Sequence, residues 1–454
     1  MQTNRIKKRA VTNQLSFLLP GLAEQLDPRH GLYQLALQIN WEFFDKEFSA
    51  LYSDNFGRPA KPIRLMVSLL ILKHLRNLSD ESVVEQWSEN CYYQFFSGQK
   101  EFSPKFPCSA TELVMFRNRI GSEGIEKILL ESIRINGKDS EEQEIIGDTT
   151  VQEKNITYPV DTKLHQKIIR KYWQIIDEKG FEVRQSYRRI VAKLRYQTRG
   201  RNHPKHAVKS RRAERKIKTI AGRLVRELKR VLSPNDYHQN LLEIFQKVIN
   251  QKRTDKNKIY SLHELDVNCI SKGKDHKKYE FGNKVSILRT KTTGVIVGAL
   301  SFDKNIYDGN TLDEALNQYQ KLIGKEPRKI ILDLGYRGRS KINSTEIVTP
   351  DKFKRTKISQ YLRRKHQKDM RRRSSIEPVI GHLKQDHRVG RNYLKGLKGD
   401  QINILLAAAA YNFKRFIRLK GWFIDFSNFQ YTLELILWSF MYLNRIQFAQ
   451  ENQD

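Results

Sequence analysis

Three carboxylates in this 454-residue chain stand where the local sequence would present them at the ends of regular elements. Asp148 closes the apolar run Ile145-Ile146-Gly147, and Asp333 closes Lys329-Ile330-Ile331-Leu332. Glu377 lies at the start of a helix-like stretch from Ser374 to Lys384. Two strand ends and one helix start can gather carboxylates from distant parts of a chain. Oxygen ligands of this kind suit Mg²⁺ or Mn²⁺. Two such ions about 4 Å apart can clamp the attacking and leaving oxygens of a phosphodiester. Each residue also has a plainer reading, Asp333 as a turn aspartate and Glu377 as a first-turn acid favoured by the helix dipole.

The charge points the same way. Lysine and arginine number 83 against 50 acidic residues, a formal net charge of +33. Such an excess suits a polyanion, bound with salt-sensitive affinity through counterion release. It is uneven: Glu182 to Arg230 holds 18 lysines and arginines against three acidic residues, a local surplus of 15. Within it Arg188, Arg189, Arg211 and Arg212 form two basic pairs suited to gripping a DNA backbone. Cys91, Cys108 and Cys269 show neither C-x-x-C nor zinc-ligand spacing, so the expectation is a reduced, cytoplasmic chain without disulfides. The basic stretch Met1 to Arg9 leads into no apolar signal core, and Leu433 to Leu443 is too short to span a bilayer, so no membrane role is expected.

The elements that must hold these residues divide by pattern. Pro62 can open a helix to about Asn77, with Leu65, Leu69, Leu72 and Leu75 on a broad apolar stripe. Asp80 reads as the cap of a second helix carrying Val83, Val84 and Trp87. Ser109 and Glu112 have capping-box spacing ahead of a third helix, which Gly121 breaks before a fourth from Glu123 to Ile135. Short helices joined by tight turns suit a helix-turn-helix DNA reader, and equally a plain helical bundle.

Beyond them Glu144 to Asp148 reads as a strand, with Thr149 to Tyr158 doubling back as a hairpin arm. Asp161 to about Gln251 reads as basic helix, interrupted near Gly200 to Pro204 and at Ser233-Pro234. Strand patterns return at Tyr260 to Leu265, Glu280 to Leu288, Gly294 to Phe302, Ile330 to Asp333 and Ile347-Val348, with a helix from Thr311 to Ile323. With the basic helical block set aside, the order is strand-Asp, two strands, helix, strand-Asp, strand, helix-Glu. That is an α/β class with a mixed sheet flanked by helices, and open sheets of this kind place chemistry at strand ends. Gly335 and Gly338 after Asp333 would let a phosphate backbone approach, with Arg337 between them.

This order, and five local phrases, resemble the DDE transposases of bacterial insertion sequences, most closely the fifth insertion-sequence family and its relatives. The phrases are Asp148 to Val151 with Asn155 to Asp161, Lys272 to Lys274 with Tyr279 to Lys284, Asp308 to Leu312, Asp333 to Gly338, and Ile376 to Lys384. Together they span roughly Pro59 to Phe416, and Arg58 to Gly98 resembles the family's helical N-terminal domain. The family's Tyr-x2-Arg-x3-Glu-x6-Lys signature is matched by Arg373, Glu377 and Lys384, while Met370 stands at the tyrosine position. A hydroxyl contact to DNA from that position is absent here.

The resemblance implies a ribonuclease-H-like catalytic core over residues 139–420 with a helical insertion at 161–255, an all-α N-terminal domain over 1–138 for DNA-end binding, and a tail over 421–454. It implies that Asp148, Asp333 and Glu377 hold two Mg²⁺ or Mn²⁺ ions. It further implies cleavage at element ends and strand transfer into target DNA, with Lys384, Arg373 and Arg337 contacting DNA. A homodimer in the synaptic complex and a nucleoid-associated place in the cytoplasm complete the expectation. A non-transposing nuclease of the same fold and a decayed DNA-binding copy are the alternatives. On helical geometry Lys384 lies almost two turns beyond Glu377 on one face, whereas Pro378 starts that helix near Ser375 and leaves Arg373 ahead of it. His263, His276 and His382 lack paired ligand spacing, and Trp173 reads as core before it reads as a base-stacking ring.

Overall fold

The computed structural model describes residues 21–52, 59–233, 236–252, 254–271, 277–350 and 359–420. The basic N-terminal stretch, Arg58, Pro234, Lys272 to Lys274, His276 and the tail from residue 421 lie outside the described residues. The chain forms two compact units. The first is Met1–Gln152, Lys284–Phe302 and Ile306–Asp454, and the second is Glu153–Asn283 with Asp303–Asn305.

The first unit begins with helices α1 (Leu22–Gln25), α2 (Gly31–Gln38), α3 (Trp41–Ser49), α4 (Ile63–Leu75), α5 (Asp80–Glu89), α6 (Cys91–Phe96) and α7 (Ala110–Ile135). The side chain of Ser79, not Asp80, caps α5 by accepting from the Ser82 amide. Asp80 instead takes Lys73 Nζ at 2.7 Å and Arg117 Nη1 at 2.9 Å, a mostly buried ion cluster. The expected stripe on α4 is buried on nearly every side, since the helix is apolar almost all round. Ser109 and Glu112 form the capping box of α7, and Gly121 kinks that helix at φ 60° and ψ −167°.

Strand β1 (Glu144–Glu153) follows, and the chain then enters the second unit. There, helices α8 (Asp161–Lys179), α9 (Arg188–Thr198), α10 (Ala207–Val231) and α11 (Gln239–Asn250) pack around Ile168, Tyr172, Ile217, Leu224, Leu228 and Phe245. Strand β2 (Asn268–Ser271) pairs antiparallel with the first residues of β3 (Tyr279–Thr290), and β3 runs on into the first unit. Back in the first unit come β4 (Ile296–Phe302), α12 (Leu312–Ile323), β5 (Lys329–Ile331), β6 (Lys341–Ile342), β7 (Thr345–Val348), α13 (Gln360–Arg373), α14 (Ile376–Asp386) and α15 (396–420).

The sheet is mixed, in the order β2-β3-β1-β5-β7-β6 with β4 on β3. β1, β5 and β7 are parallel, while β3–β4 and β6–β7 are antiparallel. Apolar side chains cover both faces. α12 packs with Ile145, Val297, Ile330 and Ile347, and the N-terminal helices and α15 form one core with Val285, Ile287 and Ala299.

Two expectations are corrected. Thr149 to Glu153 does not turn back; the β-branched run Thr149-Thr150-Val151 carries β1 straight on. Tyr260 to Leu265 is not a strand. The backbone just before it is satisfied by a side chain: Gln251 accepts from the Ile259 amide at 3.1 Å and donates to the Ile259 carbonyl at 3.3 Å.

Candidate active site

The site is built midway along β1 and just past the end of β5. Their parallel register pairs Glu144 with Lys329, Ile145 with Ile330 and Ile146 with Ile331. Two residues beyond the last paired positions come Asp148, still inside β1, and Asp333, just past β5. Gly147 faces the apolar core, where a Cβ would come within 2.8 Å of Leu332 Cδ2 and 3.0 Å of Leu288 Cδ2. At Asp333 the strand stops. The side chain caps the turn Leu334–Tyr336 by accepting from the Gly335 amide at 2.8 Å, so one oxygen is fixed and the carboxylate stays at the strand end. Asp148 accepts from the Thr149 amide at 2.7 Å.

Helix α13 is anchored at the other end of the same two strands. Asp369 is buried and takes Lys329 of β5 and Lys291, the latter at 2.6 Å and also 2.7 Å from Glu144. Burial alone would raise the Asp369 carboxyl, but the two ammonium groups hold it below the usual carboxylate range. Met370, at the position of the missing tyrosine, packs against the apolar group Ile146, Ile331 and Ile376. The short junction to α14 is pinned by the buried Arg289, whose Nη1 donates to the Ser375 carbonyl at 2.7 Å. Arg372 donates to the carbonyls of Lys291 and Thr292 at 2.9 and 2.6 Å.

These anchors place Arg373 ahead of α14, as the sequence reading has it. It is the last residue of α13, one turn before Glu377, and its guanidinium lies between two acids. Nη1 is 3.9 Å from Asp148 Oδ2, and Nη2 is 3.4 Å from Glu377 Oε1. The Glu377 side chain is 65% exposed, whereas that of Asp148 is 18% exposed. A positive charge thus sits between two of the three carboxylates, where it stands in for the charge a metal ion would bring. Among the described residues no three acidic, histidine or cysteine side chains stand close enough to close round an ion. The donors are hard oxygens, a chemistry that suits Mg²⁺ or Mn²⁺.

Further residues from the family-like phrases lie beside these acids, although no role was assigned to them in sequence. Asp308, in the turn before α12, accepts from Thr149 Oγ1 at 2.8 Å and from Lys284 Nζ at 2.7 Å. Tyr336 is buried, and burial together with the facing charges of Asp148, Asp308 and Asp333 pushes its phenol well above the ordinary value. Asp308 reads in sequence as an ordinary Asp-Gly-Asn turn, and only the fold brings it beside Thr149 and Lys284.

Lys384 is half-buried on α14, and Arg337 is exposed after the Asp333 turn. Arg188, Arg189, Arg211 and Arg212 are exposed on the second unit, with Arg188 committed to Asp177 at 2.7 Å and lying 5.5 Å from the Trp173 ring. Trp173 is half-buried and donates to the Ser186 carbonyl at 2.9 Å. His382 pairs with Asp386 at 3.1 Å, and His263 with Ser261 at 2.9 Å. No helix among the described residues is long and apolar enough to cross a membrane.

The sheet thus carries one aspartate inside β1, a second just past its parallel neighbour β5 and a glutamate in the first turn of α14, and comparison with known proteins gives this arrangement a family. Residues 21–119 match the transposase domain DUF772, and residues 253–413 match the transposase DDE domain. An uncharacterized protein of Rhizobium meliloti, ORF8 in the nfe locus, is 38% identical over 183 residues, which cover 39% of this chain and 88% of that protein. No solved structure matches the chain significantly. The chain belongs to the DDE transposases of bacterial insertion sequences.

Proposed function

We propose that this transposase cuts DNA strands at the ends of its element and joins the freed 3′-hydroxyls to target DNA, with Asp148, Asp333 and Glu377 as the acidic triad of a ribonuclease-H-like core. The observation that carries this reading is the convergence of Asp148 and Glu377 on the single charge of Arg373, with Asp333 at the neighbouring strand end. Two Mg²⁺ or Mn²⁺ ions, when bound, would neutralise the scissile phosphate and acidify the attacking water.

The chain's own residues supply position. Asp333 is held by its own turn, Asp148 by β1, and Glu377 by the first turn of α14. When DNA enters, Glu377 exchanges Arg373 for the centre, and Arg373 turns to a phosphate. Lys384, about 10 Å further along the helix at ~1.5 Å per residue, takes the phosphate of a neighbouring nucleotide. Arg337 faces the same strand. The helices before residue 138 hold the element's ends, and the basic helices of the second unit grip duplex backbone without reading sequence. Two copies pair the two ends. The work is done on double-stranded DNA in the bacterial cytoplasm, at the nucleoid.

Asp333→Ala tests the triad. It should abolish cleavage of labelled element ends with either metal and leave their gel shift nearly unchanged. Substantial residual cleavage would remove Asp333 from the chemistry.

A further inference from the structure

Asp308 is tied to the acidic centre by more contacts than a turn residue needs. One oxygen, Oδ1, accepts from both Thr149 Oγ1 (2.8 Å) and Lys284 Nζ (2.7 Å). Thr149 is the residue after Asp148, so this bond reaches the stretch of β1 that carries the first acid. The other oxygen, Oδ2, lies over Gly335, where a Cβ would come within 2.9 Å of it and within 3.0 Å of Asp333 Oδ1. Asp308 and Asp333 therefore converge on one glycine, and only a residue without a side chain leaves them their places.

An independent observation points into the same space. Tyr336 is 1% exposed, and its hydroxyl meets no described group at hydrogen-bonding geometry. The Thr311 hydroxyl lies near it but is turned to the Asp308 carbonyl at 2.6 Å. The Thr311 hydroxyl keeps its lone pairs for the Tyr336 phenol, which lies under the charges of Asp148, Asp308 and Asp333. Lys284 is the balancing charge, with only 11% of its side chain exposed.

We infer that Asp308 is a fourth carboxylate of the centre, a positioning residue that, held by Lys284 and Thr149, fixes the Asp148 stretch of β1 beside the Asp333 turn and sets how tightly the site takes a divalent cation. It is not required as a ligand. It acts through the contacts it makes and through its charge, which Lys284 partly offsets. The inference rests on the cation-holding role proposed for Asp148 and Asp333.

The test reads Mn²⁺ binding to the full chain without DNA, by paramagnetic resonance of free Mn²⁺ and by the metal-induced rise in melting temperature. Asp308→Asn keeps the size and both acceptor contacts but removes the charge, so binding should weaken roughly three- to tenfold. Lys284→Met removes the balancing charge and should tighten binding by a similar factor. A merely structural role predicts that both substitutions weaken binding together, because both break the same pair. Opposite shifts support the inference. Shifts in the same direction, or wild-type binding by Asp308→Asn, overturn it, and Lys284→Met decides alone if Asp308→Asn does not fold. Asp333→Ala separates this from the broader reading. If Asp333→Ala binds Mn²⁺ like the wild type, the proposed triad fails and this inference with it. If Asp333→Ala loses binding while Asp308→Asn keeps it, only the role of Asp308 falls.

Discussion

The glycine between the acids offers the sharpest test of how finely this site is set. In Gly335→Ala the new Cβ would lie 2.9 Å from Asp308 Oδ2 and 3.0 Å from Asp333 Oδ1. Ordinary contact begins near ~3.4 Å, so each carboxylate must yield by about 0.4 to 0.5 Å, within the range in which interpenetrating groups repack. The backbone accepts the change, because Gly335 is not among the glycines with positive φ. Both contacts are ends of side chains that can rotate, so the fold should lose less than about 1 kcal/mol. Activity is another matter. A misplacement of about 1 Å can cost ~10²-fold in rate where reacting groups must be aligned. Half that displacement, shared by two carboxylates, should cost on the order of tenfold. The assay is single-turnover cleavage of labelled element ends with Mn²⁺, beside a thermal melt in the presence of a chelator. Wild-type cleavage with an unchanged melt would refute the idea that the carboxylates are positioned by the space over this residue. A melt lowered by many degrees would show that the glycine serves folding and not alignment.

Three other outcomes are expected. Lys384→Ala should lower the salt slope of element-end binding by about one unit and leave the metal requirement alone, whereas Glu377→Ala should keep binding and stop cleavage; parallel salt and metal titrations check both. Changing Arg188, Arg189, Arg211 and Arg212 together to Ala should weaken binding to all duplexes alike and flatten the slope by about three units and not four, because Arg188 is already engaged by Asp177; a loss confined to the element's own ends would contradict this. Asp369→Asn strands Lys329 and Lys291 and should destabilise the fold by about 3 kcal/mol in denaturant melts. Because the folded Asp369 carboxyl lies below its ordinary value, its stabilisation is full above the unfolded value near ~3.9 and fades as pH falls through the folded one; the wild-type advantage over Asp369→Asn should therefore be constant near neutrality and shrink only in acid.

What could be read from sequence was what local physics determines. Ile145-Ile146 and Ile330-Ile331 are β-branched runs, so both strands were visible and they pair in parallel, but Asp148 is not the strand end it resembled, because β1 runs on to Glu153. The capping box at Ser109 and the break at Gly121 are equally local. The misreadings share one cause, a partner distant in sequence. Thr149 to Glu153 looked free to turn because nothing nearby showed the sheet that continues beside it. Ser79 and Asp80 compete for one cap by sequence alone, and Lys73 with Arg117 decide which of them is left for it. Pro378 correctly started α14, but it could not show that Arg289, on β3, would hold the junction so that Arg373 ends one helix and faces Glu377 on the next. Asp308 is the clearest case. Its neighbours Thr149, Lys284 and Gly335 come from three separate elements, and no spacing within Asp308-Gly309-Asn310 distinguishes it from a common turn. Local patterns therefore show the acids in sequence and conceal the residues that the fold sets against them, which are reached by following the polar atoms that meet those acids.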